Sequence, residues 1–124
     1  MTVLEAMCDF WSFFGVPAYK DDEVPHDAQY PYITYSVTDG ALYSAVPSVA
    51  NYWTRGGIRD CSEFYTAVRE TIHEGGKCIK TDAGLVILYR GADFLIVAPE
   101  RTADLHPTGV VGVRVSYDMQ FYCT

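Results

Sequence analysis

Between Val111 and Cys123, two sets of residues alternate for thirteen positions without a break. Val111, Val113, Val115, Tyr117, Met119, Phe121 and Cys123 fall in one register, and Gly112, Arg114, Ser116, Asp118, Gln120 and Tyr122 in the other. Successive side chains of a strand point to opposite faces, so this pattern predicts a β-strand with one face in a core. At about 3.3 Å per residue it would span roughly 43 Å, against a usual strand of about five or six residues. Two readings are open. The strand runs past the edge of its own domain towards a neighbour, or it bends at a bulge and stays inside.

The rest of the chain supplies partners for such a strand. PYITYSVT (31–38) and SVANYWTRG (48–56) are β-branched and aromatic, with strand-like alternation. Asp39-Gly40 is read as a turn and 41–47 as a connecting loop. KCIKT (77–81), GLVILYR (84–90) and DFLIVA (93–98) follow as three further strands. The dipeptides Asp82-Ala83 and Gly91-Ala92 suit tight hairpin turns between them. Residues 18–30 and 99–109 are polar and turn-prone, and read as long loops.

Two helices are expected. Residues 2–14 read as a helix closed by Gly15, with Pro17 preventing its continuation. Its polar positions, Thr2, Glu5, Asp9 and Ser12, form one narrow stripe, and the remainder is apolar. A surface helix usually buries one face, so this one calls for cover on more than one side: its own sheet, and a neighbouring subunit as a natural second. The second helix, 61–74, is amphipathic, with Phe64, Ala67, Val68, Thr71 and Ile72 on one side and Gly75-Gly76 at its end. Asp60 reads as its N-cap and Glu63 as the capping-box partner. The corner Arg55–Gly56–Gly57 is either a glycine-dependent turn that sets the helix or a simple flexible one. The predicted order is α-β-β-α-β-β-β-β, a single α+β domain over 1–124, with a mostly antiparallel sheet covered by two helices.

No constellation with catalytic spacing is present. The chain lacks G-x-S-x-G, H-E-x-x-H, a P-loop and G-x-G-x-x-G. Cys8, Cys61, Cys78 and Cys123 form no C-x-x-C pair and are scattered, which suits reduced thiols used as small apolar residues better than a zinc site. His26, His73 and His106 read as solvated, and Asp21, Asp22 and Glu23 lack the glycine and ligand spacing of a calcium loop. No catalytic, metal or cofactor role is therefore expected. A net charge of -7 opposes gripping phosphates or an anionic membrane. No apolar run reaches the roughly 20 residues that span a bilayer, and the acidic start lacks the basic region of a signal peptide.

The strand PYITYSVT, the strand ending NYWTRG, the helix DCSEFYTAVRETI, the segment GLVILYRGADF and the terminal VVGVRVSYDMQFY succeed one another over roughly residues 30 to 122. In order and spacing this succession resembles the small tail-terminator, tail-completion and minor capsid proteins of siphophages and prophages. The resemblance implies a non-enzymatic virion protein at the head–tail junction, made in the bacterial host cytoplasm. It implies a homo-oligomer, commonly a hexameric ring, that ends tail-tube polymerisation. The implied partners are the tail-tube protein and the head-completion or connector protein, with DNA passing through the lumen without specific binding. A net negative charge suits such a channel. Combined with the apolar first helix and the long last strand, it places a subunit interface at Met7, Phe10, Trp11, Phe14, Tyr117, Met119 and Phe121. The competing expectations are another phage structural or adaptor module, and a small enzyme built on a Cys–His or carboxylate site.

Overall fold

The long alternation forms one strand (Val111–Cys123), and it lies in the middle of a six-stranded sheet. The computed structural model describes residues 2–37, 43–98 and 109–123. In chain order the elements are α1 (Val3–Ser12), β1 (Ala18–Lys20), β2 (Tyr32–Tyr35), β3 (Ala45–Thr54), α2 (Gly57–Thr71), β4 (Lys77–Thr81), β5 (Gly84–Ala98) and β6 (Val111–Cys123). The strands are ordered β1-β2-β3-β6-β5-β4. β1 and β2 run parallel, and the other neighbours are antiparallel. The expected mixture of two helices with a mostly antiparallel sheet is present.

The length of β6 is used inside the chain. β3 pairs with it from Thr54↔Val111 to Ala45↔Gln120, and β5 from Gly84↔Cys123 to Ala98↔Gly112. Of the two sequence readings, the one that keeps the strand inside its domain holds, and the irregularity falls in its partner. The β5 register jumps from Arg90↔Tyr117 to Leu95↔Val115, so residues 91–94 bulge opposite Ser116 alone. The expected hairpin at Gly91-Ala92 is therefore corrected to one 15-residue strand. Both halves pair with the same side of β6, so the chain cannot reverse between them. Glycine fits this place because a Cβ on Gly91 would stand 3.0 Å from the Ser116 carbonyl oxygen.

The observed order is α-β-β-β-α-β-β-β, because β5 replaces two expected strands and a short strand, β1, forms within the segment read as a loop. Its three residues pair with Ile33, Thr34 and Tyr35. Parallel pairing of so short a run leaves no periodic trace in sequence. The Asp39-Gly40 turn, residues 99–108 of the second polar loop and His106 lie outside the described residues.

α1 starts where its capping box dictates. The Thr2 hydroxyl accepts from the Glu5 amide, and the Glu5 carboxylate accepts from the Thr2 amide. Gly15, at φ +82°, turns the chain away beyond the helix end. Met7, Phe10 and Trp11 of α1 and Cys61, Phe64 and Val68 of α2 share one core with Val113, Val115, Tyr117, Met119 and Phe121 of β6. On the opposite face of the sheet Tyr32, Trp53 and Val110 form a smaller cluster, packed by Tyr19, Val24, Ala28 and Tyr30 from β1 and the loop after it.

Candidate functional site

The seven residues expected at a subunit interface come together in space, but in the interior. Met7, Phe10, Trp11, Tyr117, Met119 and Phe121 are buried within one chain, and Phe14 packs half-buried against them. The Trp11 ring, fully buried, lies 5.6 Å from that of Tyr117 and 5.7 Å from that of Phe14. For the six buried residues the assignment to an interface is corrected, since the chain's own sheet and α2 cover them; Phe14 keeps part of its surface exposed. Burial also holds the phenol protons of Tyr117 and Tyr35 well above the ordinary tyrosine range. Tyr32 is pushed up to about 12 for the same reason.

What α1 leaves outside is a different set. Leu4 is 53% exposed and Phe13 76%, and Cys8 is exposed as well. Leu4 and Cys8 are one turn apart on one flank, and Phe13 lies on the other. Phe13 stands on the rim of a mainly apolar cleft of about 310 Å³ between α1, the end of α2 and β4, which Phe10, Thr71 and Ile79 help to line. Sequence reasoning had all these apolar residues in view. It could not divide them, because the apolar arc is wide enough to fit the sheet at several rotations about the helix axis.

The two ends of α2 are fixed by distant parts of the chain. The helix begins at Gly57, four residues before the expected start, and Gly56 is its N-cap with no side-chain cap. Gly57 takes φ +74°, which favours glycine, so the corner is a glycine-dependent turn. Asp60, expected as N-cap, instead lies within the first turn and accepts a 2.7 Å hydrogen bond from the Thr54 hydroxyl. That hydroxyl in turn accepts from the Gly56 amide at 2.9 Å. The acid also favours the positive end of the helix dipole. A side chain on Gly56 would collide with the Asp60 carboxylate. At the other end the helix stops at Thr71, short of the glycine pair. Arg90, beside the β5 bulge, donates from Nε to the Ile72 carbonyl at 2.8 Å and from Nη2 to the Arg69 carbonyl at 2.9 Å. Its guanidinium also sits 4.9 Å from the Phe94 ring centre.

The chemistry of the remaining polar groups is limited. Cys61 is buried, and desolvation, followed by the neighbouring Asp60 charge, pushes its thiol up, the opposite of what a nucleophile needs. Cys78 lies exposed on β4, and His26 and His73 are exposed. Among the described residues no three His, Cys, Asp or Glu side chains group as metal ligands, and no helix is long and apolar enough to cross a membrane. A second hollow, of about 150 Å³, lies between Val16 and α2 over the stacked rings of Tyr52 and Phe64, with Asp60 and Glu63 on its wall. No protein-family model, curated protein or solved structure matches the chain significantly.

Proposed function

We propose that this chain is a structural virion protein that assembles as a ring at the head-proximal end of a bacteriophage tail. It ends tail-tube polymerisation there and joins the tail to the head connector. The resemblance of its strand–strand–helix–strand succession to tail-terminator and tail-completion proteins supplies the role. One observation carries the assembly half of the reading: with the core face of α1 filled, Leu4 and Cys8 stay exposed on one flank and Phe13, at its C-terminal end, on the other. An exposed phenylalanine on the rim of an apolar cleft forms a patch of the kind that protein contacts cover. No catalytic residue, metal or cofactor enters this reading, and DNA passes the ring without specific contacts.

Sedimentation and electron microscopy with purified tail tubes test it. The expected result is a closed oligomer, most simply a hexamer, seated on one end of the tube. Phe13→Glu should weaken seating or assembly while leaving the monomer fold intact. A protein that stays monomeric in the presence of tubes and never decorates their ends refutes the reading. A ring whose lumen is lined by basic residues refutes the unhindered passage of DNA.

A further inference from the structure

We propose that copies of this chain associate head to tail through the two outer edges of the sheet, the β4 edge of one copy meeting the β1 edge and following loop of the next. The inference rests on the assembly reading above and names its contact surfaces. Cross-subunit pairing cannot use β6, since β3 and β5 occupy both its sides. The strand order leaves β1 and β4 as the terminal strands, at opposite ends of one sheet. An outer strand offers main-chain donors and acceptors to an added strand whatever its side chains.

The two edges differ in charge. β4 carries Lys77 and Lys80, both exposed, and no carboxylate within its five residues; Asp82 follows in the turn. β1 runs into Asp21, Asp22 and Glu23, all exposed, with Lys20 paired to Asp22 at 3.2 Å. Like edges brought together by a two-fold axis would set acid against acid at β1, or lysine against lysine at β4. Unlike edges match. A contact between two different surfaces repeats from copy to copy, and it closes into a ring when the rotation permits. The apolar cleft beneath Phe13 borders the β4 edge, since Lys77, Cys78 and Ile79 help to line it. The basic edge therefore has apolar surface beside it. Lysine on an outer strand is also a known device against pairing. The two roles predict opposite effects of removing the lysines.

Charge reversal decides between them. Sedimentation velocity at low salt compares the natural protein with Lys77→Glu/Lys80→Glu, with Asp21→Lys/Asp22→Lys and with the fourfold variant, each checked for an unchanged circular-dichroism spectrum. Either edge alone reversed should weaken self-association at least tenfold, and reversing both should restore it to within a few-fold. Raising the salt should weaken the natural oligomer too, because exposed charges are screened. A second measurement does not depend on reversed charges. In a Cys8→Ser/Cys123→Ser background, Asp22→Cys should form disulfide-linked multimers with the native Cys78 under mild oxidation. The same background without Asp22→Cys should form none. Natural oligomers with unaffected single-edge variants and no cross-linked multimers would overturn the edge contact and leave the ring reading standing. Stronger association on losing the lysines would also overturn it, in favour of a protective role. A natural protein that is monomeric alone and on tail tubes would remove both proposals.

Discussion

Replacing Arg90 by Met tests whether the end of α2 is held by a strand residue. The side chain is 23% exposed, so its polar contacts are partly shielded. A charge-assisted bond to a carbonyl contributes about 1.5 kcal/mol where it is shielded, as at Ile72, and about 0.5 to 1 kcal/mol where it is wetter, as at Arg69. The helix-dipole contribution and the Phe94 contact add about 0.5 kcal/mol each. The Glu74 partner stands 4.0 Å away and is 92% exposed, so it contributes nothing measurable. Met keeps the apolar stem and its packing on Phe94, and water regains part of the exposed Arg69 carbonyl bond, which leaves a net loss of about 2 to 3 kcal/mol. For a chain of 124 residues that lowers the melting temperature by about 8 to 12 °C. Lys at this position reaches one carbonyl but cannot fork to two, so it should lose roughly half as much. Thermal unfolding by circular dichroism measures the shift. Hydrogen exchange should show the last turn of α2 and the β5 bulge losing protection together. An Arg90→Met protein melting within about 2 °C of the natural one, with α2 amides unchanged, would refute the cap.

Trp11→Ala should cost about 3 to 5 kcal/mol, since the ring is fully buried among Phe10, Phe14 and Tyr117. The loss should be independent of protein concentration in equilibrium denaturation; a loss seen only in the oligomer would return Trp11 to an interface. Gly91→Val should destabilise by about 1 to 3 kcal/mol as its side chain presses on the Ser116 backbone. Equal urea midpoints for the two proteins would show that the bulge relaxes freely. The buried phenols of Tyr117, Tyr35 and Tyr32 keep their protons above the pH at which an unfolded tyrosine loses them. Their contribution to stability is therefore complete below about pH 10 and is lost as the pH rises through their folded values. Ultraviolet absorbance of tyrosinate should show these tyrosines ionising together with loss of the circular-dichroism signal. Their ionisation in the folded protein at about pH 10 would contradict their burial.

The thirteen-residue alternation determined on its own that β6 would be a strand and which of its residues would face a core, because side-chain direction in a strand follows from local geometry. Val113, Val115, Tyr117, Met119 and Phe121 are indeed buried, with Arg114 outside. The strand β4 and the amphipathic face of α2 were legible for the same reason. The tertiary structure decided what lies beside each element. A strand's periodicity does not say whether its neighbours belong to the same chain, so the long β6 looked like a possible bridge to another subunit, yet β3 and β5 enclose it. The Gly91-Ala92 pair has hairpin composition, but pairing of both flanks with β6 makes it a bulge. Asp60 has cap chemistry, but Gly57 lets the helix begin earlier, and Arg90 arrives from another strand to finish it. The candidate assembly surface was the least legible. Leu4 and Phe13 are as apolar as Phe10 and Trp11, and only docking of α1 on the sheet separates those that touch the core from those that touch water.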